Sequence, residues 1–201
     1  RVLAFEPLPE AFARLSARCA GIATITPLPQ ALGDAPGELV LSVPVVDSVA
    51  QEQWASTVKR FEGFGERVEA RRVTVPVVTL DSFGLPEVTA IKLDAEGAEY
   101  EVLRGARDTL LRCRPVLMLE LEERHREGST WAVPAFLDAL GYVTCFALDG
   151  RWHPATALNR PTMQRASPDP SVYAASDPYV FNFFAWPRER DAAIRAALPL
   201  G

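Results

Sequence analysis

The chain has 201 residues, 48% of them hydrophobic, and a formal net charge of −5. That length suits one domain with a sizeable core, and the acidic balance lacks the basic footprint that neutralises phosphates, so nucleic acid is not an expected partner. No segment approaches the ~20 apolar residues of a membrane span, and three cysteines without metal-type spacing, Cys19, Cys113 and Cys145, fit a reduced, cytoplasmic setting.

Val2 to Phe5 reads as a buried strand that ends in an acid, Glu6. Pro9-Glu10 then opens a helix with Phe12, Leu15 and Cys19 at i, i+3 and i+7, one apolar face. In nucleotide-binding α/β folds an acid at the end of the second strand accepts hydrogen bonds from ribose hydroxyls, and Glu6 holds that kind of place. A core strand needs a neighbour, so the chain is expected to lack its natural first strand and first helix.

Ile22 to Leu32 is apolar but broken by Pro27 and Pro29 before it reaches Gly33-Asp34. Pro36-Gly37 marks a turn, and Glu38 to Val43 is the next predicted strand. Between residues 47 and 67, Trp54, Val58 and Phe61 fit a helical face that Gly63 and Gly65 break. Val73 to Leu80 is β-branched and leads to Asp81.

Val88 to Leu93 is short and apolar, as a central parallel strand is. It runs into Asp94-Ala95-Glu96-Gly97-Ala98-Glu99, a packed set of carboxylates that turns on a glycine and enters an amphipathic helix. Glu96, Glu99 and Glu101 offset the positive end of that helix; Lys92 and Asp94 precede the turn and are not accounted for in this way. Val102, Leu103, Ala106 and Leu110 face inward, Gly105 allows close packing on the sheet, and Arg114-Pro115 ends the helix. Val116 to Leu121 is the following strand, pointing Glu120, Glu122 and Glu123 toward the rim of Asp94. Val133, Phe136, Leu137 and Leu140 mark another helix, stopped by Gly141. Tyr142 to Leu148 and Tyr179 to Trp186 are two final strands, and residues 188–201 form a helical tail. Between those strands, Asp149 to Pro178 reads as a long loop, either a surface excursion or a substrate cap. Strands alternating with helices predict a doubly wound, mainly parallel α/β sheet with right-handed crossovers.

Several stretches, in this order, carry a family resemblance: Val2 to Pro7 with Pro9, Ala31-Leu32-Gly33-Asp34, Thr79-Leu80-Asp81, and Ile91 through Glu99. Val102 to Ala106, Arg114-Pro115, Leu119-Glu120-Leu121 and Asn182 to Pro187 complete the set. The chain resembles the FkbM-type S-adenosylmethionine-dependent methyltransferases over most of residues 1 to 187. The resemblance implies a Rossmann-like methyltransferase fold, N-terminally truncated here, since the family's glycine-rich cofactor loop lies upstream of Arg1. It also implies S-adenosylmethionine as cofactor, with Glu6 on the ribose and the Leu32-Gly33-Asp34 turn bordering the adenine, and O-methylation of a sugar or secondary metabolite, hence a small-molecule or glycan acceptor.

Methyl transfer is an in-line displacement, so the protein chiefly holds donor and acceptor in line, and a hydroxyl acceptor gains from a nearby base. Asp94, Glu96, Glu122 and His125 are the titratable candidates on the predicted rim. Asp94 is either the base or, with Glu96, an orienting group for cofactor or acceptor. His125 is a base or a surface histidine; His153, in the long loop, is read as exposed. The acids Asp94, Glu96, Glu120, Glu122 and also Asp81 suit a hard divalent cation, but Glu120 reads equally as pointing away from the rim, no spacing is diagnostic for metal, and none is expected to be required. Two other function classes remain open: a nicotinamide-dependent enzyme using Glu6 on a ribose, and a non-catalytic binding or scaffold domain.

Overall fold

The computed structural model describes residues 1–46, 49–50 and 68–198. It divides into two compact units, Arg1–Gly84 with Glu101–Ala106, and Leu85–Tyr100 with Arg107–Gly201. The helical face predicted around Trp54, Val58 and Phe61 lies outside the described residues.

In the first unit, β1 (Val2–Phe5) leads through Glu6 to α1 (Pro9–Cys19), which carries proline at its start as that position favours. β2 (Ile25–Leu28) pairs parallel with β1. β3 (Ala31–Leu32) pairs parallel with β6 (Val68–Val78), and β6 lies antiparallel to β4 (Gly37–Val46) over its whole length. The two-residue β5 (Val49–Ala50) pairs antiparallel with the end of β4. Alternation along β4 explains the layer: Leu41 and Val43 are buried with Val75, Ala31 and Leu8, while Val40, just before them, is exposed and Ser42 between them is half-buried. This is the period of two that a half-buried strand requires.

In the second unit, β7 (Ala90–Leu93) pairs parallel with β8 (Val116–Glu120). The chain between them forms α2 (Glu99–Arg104), most of which belongs to the first unit, and α3 (Arg107–Cys113), two short helices where one was predicted, the break falling at Gly105-Ala106. After β8 come α4 (Ser129–Ala139) and β9 (Tyr142–Leu148), the latter spanning the predicted residues. β10 (Arg151–Pro154), α5 (Arg160–Met163), β11 (Asn182–Pro187) and α6 (Asp191–Ala197) follow. The sheet order is β10-β9-β11-β8-β7. Leu117, Leu119, Leu137, Phe146, Phe183 and Trp186 are almost wholly buried and form its core.

The mainly parallel, doubly wound sheet predicted from sequence is corrected here. All the sheets but the β1-β2 pair are mixed: within the five-stranded sheet only β7 and β8 run parallel, and β11 is antiparallel to both β8 and β9. The physical reason lies in the connections. Parallel neighbours need a crossover, whereas β9 turns directly into β10 through Asp149 (φ 49°) and Gly150 (φ 68°). Two successive left-handed residues are the two-residue hairpin that matches strand twist. The segment read as one loop therefore begins with a strand. His153, read from sequence as exposed, sits half-buried on that strand, stacked on Phe146 at 5.4 Å.

Candidate active site

The first unit places Glu6 directly after β1, where its backbone N–H continues the pairing to Leu28. Its Oε1 accepts the Leu8 N–H at 2.9 Å, fixing the carboxylate at the start of α1. The Leu32-Gly33-Asp34 turn follows β3. Gly33 N–H donates to Val78 O at 3.0 Å, and a Cβ on Gly33 would come within 2.8 Å of Val77 Cγ1. Gly105 presses on the same turn: a Cβ there would lie 1.9 Å from the Gly33 carbonyl oxygen. Asp34 pairs with Arg104 at 3.2 Å on the surface. Glycine at 33 and 105 thus lets two backbones approach and sets the turn's position.

The second unit gathers the remaining candidates around the carboxyl ends of β7 and β8. Glu96 (φ 52°) and Gly97 (φ 103°) both adopt the left-handed conformation. A Cβ at Gly97 would meet the His125 carbonyl oxygen at 3.0 Å, so glycine is required there on two counts. Glu99 holds the turn from inside, accepting from Ala95 N–H at 2.8 Å and from Gly97 N–H at 3.1 Å with both oxygens. Burial pushes its carboxyl above the usual range, partly opposed by those backbone donors. Lys92 Nζ donates to Asp94 Oδ2 at 3.0 Å.

His125, 6% exposed, places Nε2 at 3.3 Å from Glu96 Oε2 and 3.4 Å from Glu122 Oε1. Three residues singled out in the sequence thus meet. Glu122 itself is fully occupied. Arg124 donates to both its oxygens at 2.6 and 2.7 Å, and the Tyr179 hydroxyl donates to Oε2 at 2.6 Å. Burial alone would raise the Glu122 carboxyl, but these donors outweigh it and hold it below the usual carboxylate range. Burial and the bond to Glu122 in turn raise the Tyr179 phenol, which stays protonated.

Arg124 and Tyr179 were not visible as site residues in the sequence, nor was Gln164. Gln164 is buried and accepts the Glu123 N–H at 3.0 Å, while its amide nitrogen donates to the Leu121 and Val180 carbonyls. It stitches the segment after β10 to the end of β8. Glu123, predicted on the rim, instead accepts from Gly128, Thr130 N–H and the Thr130 hydroxyl at the start of α4. Glu120, Glu122, Arg124, Gln164, Arg165 and Tyr179 line a cavity of about 450 Å³, with Phe181 as an apolar wall. Arg165 lies over the Tyr179 ring at 5.1 Å. Two cavity residues therefore come from the segment that sequence left between surface loop and cap. Among the described residues no three His, Cys, Asp or Glu side chains assemble a metal-holding group, and no helix is long and apolar enough to cross a membrane.

Residues 1–144 match the family described as the methyltransferase FkbM domain. Among solved structures, the chain is similar to the crystal structure of a methyltransferase FkbM from Methylobacillus flagellatus KT, with a TM-score of 0.52 and 16% sequence identity. The likeness covers 92% of this chain and 36% of that one, and at such identity it bears on fold alone. No curated protein matches the sequence.

Proposed function

The chain belongs to the FkbM methyltransferase family, and from that premise we propose that it transfers the methyl group of S-adenosylmethionine to a hydroxyl of a small-molecule or glycan acceptor, a sugar or a secondary metabolite. The observation that carries this reading is the cavity at the end of β8, where carboxylates, guanidinium groups, an amide and aromatic rings converge. Such a lining suits a polyhydroxylated ligand: polar groups orient hydroxyls while Tyr179 and Phe181 offer apolar faces.

The donor set of the first unit fits the cofactor. Glu6 is an acceptor-only group at a strand end, already oriented by the Leu8 N–H, as a ribose-binding acid must be. The Leu32-Gly33-Asp34 turn, held by Gly105, would border the adenine. S-adenosylmethionine supplies an activated methyl on a sulfonium, so no covalent chemistry is asked of the protein. In the second unit, Asp94 and Glu96 orient the acceptor, and the saturated Glu122 with His125 fixes the walls of its cavity.

The test is transfer of label from S-adenosyl-[methyl-¹⁴C]methionine by the full-length protein to a panel of methyl glycosides and polyketide alcohols. Label in at least one acceptor is expected; hydride exchange with a nicotinamide cofactor and no methyl transfer would replace the reading.

A further inference from the structure

Of the two acids that line the cavity, Glu122 is engaged by Arg124, Tyr179 and His125. Glu120 is not: its carboxylate makes no hydrogen bond or ion pair with any of the described residues. Its backbone is fixed, since β8 is paired on both sides there. Asn182 of β11 is its partner across one edge, and Leu93, just before Asp94, lies opposite Leu119 across the other. A rigid strand end thus presents an uncommitted carboxylate to a ligand-sized space.

Resting on the methyl-transfer reading, we propose that Glu120 is the general base of the reaction and that the cavity it lines holds the acceptor hydroxyl. The acceptor oxygen forms its bond to the methyl carbon as the carbon–sulfur bond breaks, its electron pair remaining on sulfur. The hydroxyl proton passes to the Glu120 carboxylate and from there to solvent. The product is a methyl ether, and the positive sulfonium leaves as a neutral thioether.

The charged surroundings favour this role. Burial is the largest influence on the Glu120 carboxyl, followed by the charges of Asp94 and Glu122, with Lys92 opposing and Glu96 adding; together they push it up to about 7. Arg124, Arg165 and Tyr179 line the same space. A base works best when its proton affinity lies near the working pH. Neighbouring acids are otherwise committed: Glu122 is held low by its donors, Glu123 accepts from the start of α4, and Glu99 accepts from the turn at Gly97.

The test uses the full-length protein, Glu120→Gln and Glu120→Asp, with S-adenosylmethionine and the panel of methyl glycosides and polyketide alcohols. Glu120→Gln should lower kcat by about 10²-fold or more, abolish the rise in rate through pH 7, and leave S-adenosylhomocysteine affinity unchanged. Glu120→Asp should retain the pH dependence at reduced rate. A reading independent of turnover comes from carbon-13 spectra of the side-chain carboxyls: the signal lost in Glu120→Gln should titrate near pH 7. Wild-type kcat in Glu120→Gln, or titration of that signal below about pH 5 as for an ordinary carboxylate, overturns the base while methyl transfer stands. Failure of the wild type to label any acceptor brings down the methyl-transfer reading, and the base with it.

Discussion

Glu99 accepts the Gly97 N–H with both carboxylate oxygens, at 3.1 Å each, and the Ala95 N–H with one of them at 2.8 Å. The acid that looks, in sequence, like a helix-start charge is therefore the internal brace of the turn that carries Asp94 and Glu96. Removing it leaves two backbone donors without their acceptor. Glu99→Ala should reduce unfolding free energy by about 2–3 kcal/mol. Glu99→Gln, which keeps one acceptor oxygen, should cost less than half of that. Urea denaturation of the two variants checks the order, and equal losses would mean the backbone bonds are not what stabilises the turn.

Gly105 supports the other turn. A Cβ at this position would lie 1.9 Å from the Gly33 carbonyl oxygen, and backbone cannot yield as a flexible side chain does. Gly105→Ala should therefore destabilise by roughly 1–3 kcal/mol, the range for overpacking. A mid-helix glycine without such a contact would be expected to gain stability from alanine. A raised melting temperature would show that the close approach is not real.

Arg114 and Glu189 give a pH signature. The Arg114 guanidinium donates to Glu189 at 2.8 and 2.9 Å and to the carbonyls of Leu140 and Gly141, and it holds the Glu189 carboxyl down at about 2 against an ordinary 4.5. A depressed acid contributes stability above its unfolded value and loses it as pH falls through the folded one. The contribution should thus disappear between about pH 4.5 and 2. Thermal melts across that window should fall more steeply in the wild type than in Glu189→Gln; parallel curves would exclude the pair as a contributor.

Asp94→Asn separates orientation from base chemistry. If Glu120 takes the proton, Asp94→Asn should raise the acceptor KM and lower kcat by less than Glu120→Gln does. Both should be indifferent to a chelator, because no step calls for a metal. Loss of wild-type turnover on chelation, restored by Mg²⁺, would contradict this.

How much of this was legible in the chain depends on the range over which each signal acts. Local patterns identified β1, α1 and β9 and the turn at Gly97, because burial period, proline and glycine act within a few residues; Gly105, expected to pack on the sheet, packs on the Gly33 turn instead. Strand direction was misread because it depends on what lies between strands; Asp149-Gly150 is a hairpin signal that is obscured when Asp149 to Pro178 is taken as a single loop. The site divides in the same way. Glu96 follows one predicted strand, Glu122 and His125 follow the next, and the structure joins the two strand ends. Tyr179 reaches Glu122 from 57 residues away, and Gln164 reaches the end of β8 from the segment after β10, pairings that no spacing encodes. Glu120 and Glu122 alternate identically in sequence; only their partners make one a brace and the other a reactive group.

The most direct measurement is calorimetric titration of the full-length protein and its Glu6→Ala variant with S-adenosylhomocysteine. A charge-assisted hydrogen bond contributes on the order of 1.5–3 kcal/mol, so the variant should bind roughly 10-fold to 100-fold more weakly while remaining folded. Saturable binding by the wild type is expected, with that loss at Glu6. No binding by the wild type, or affinity unchanged in a folded Glu6→Ala, would contradict it.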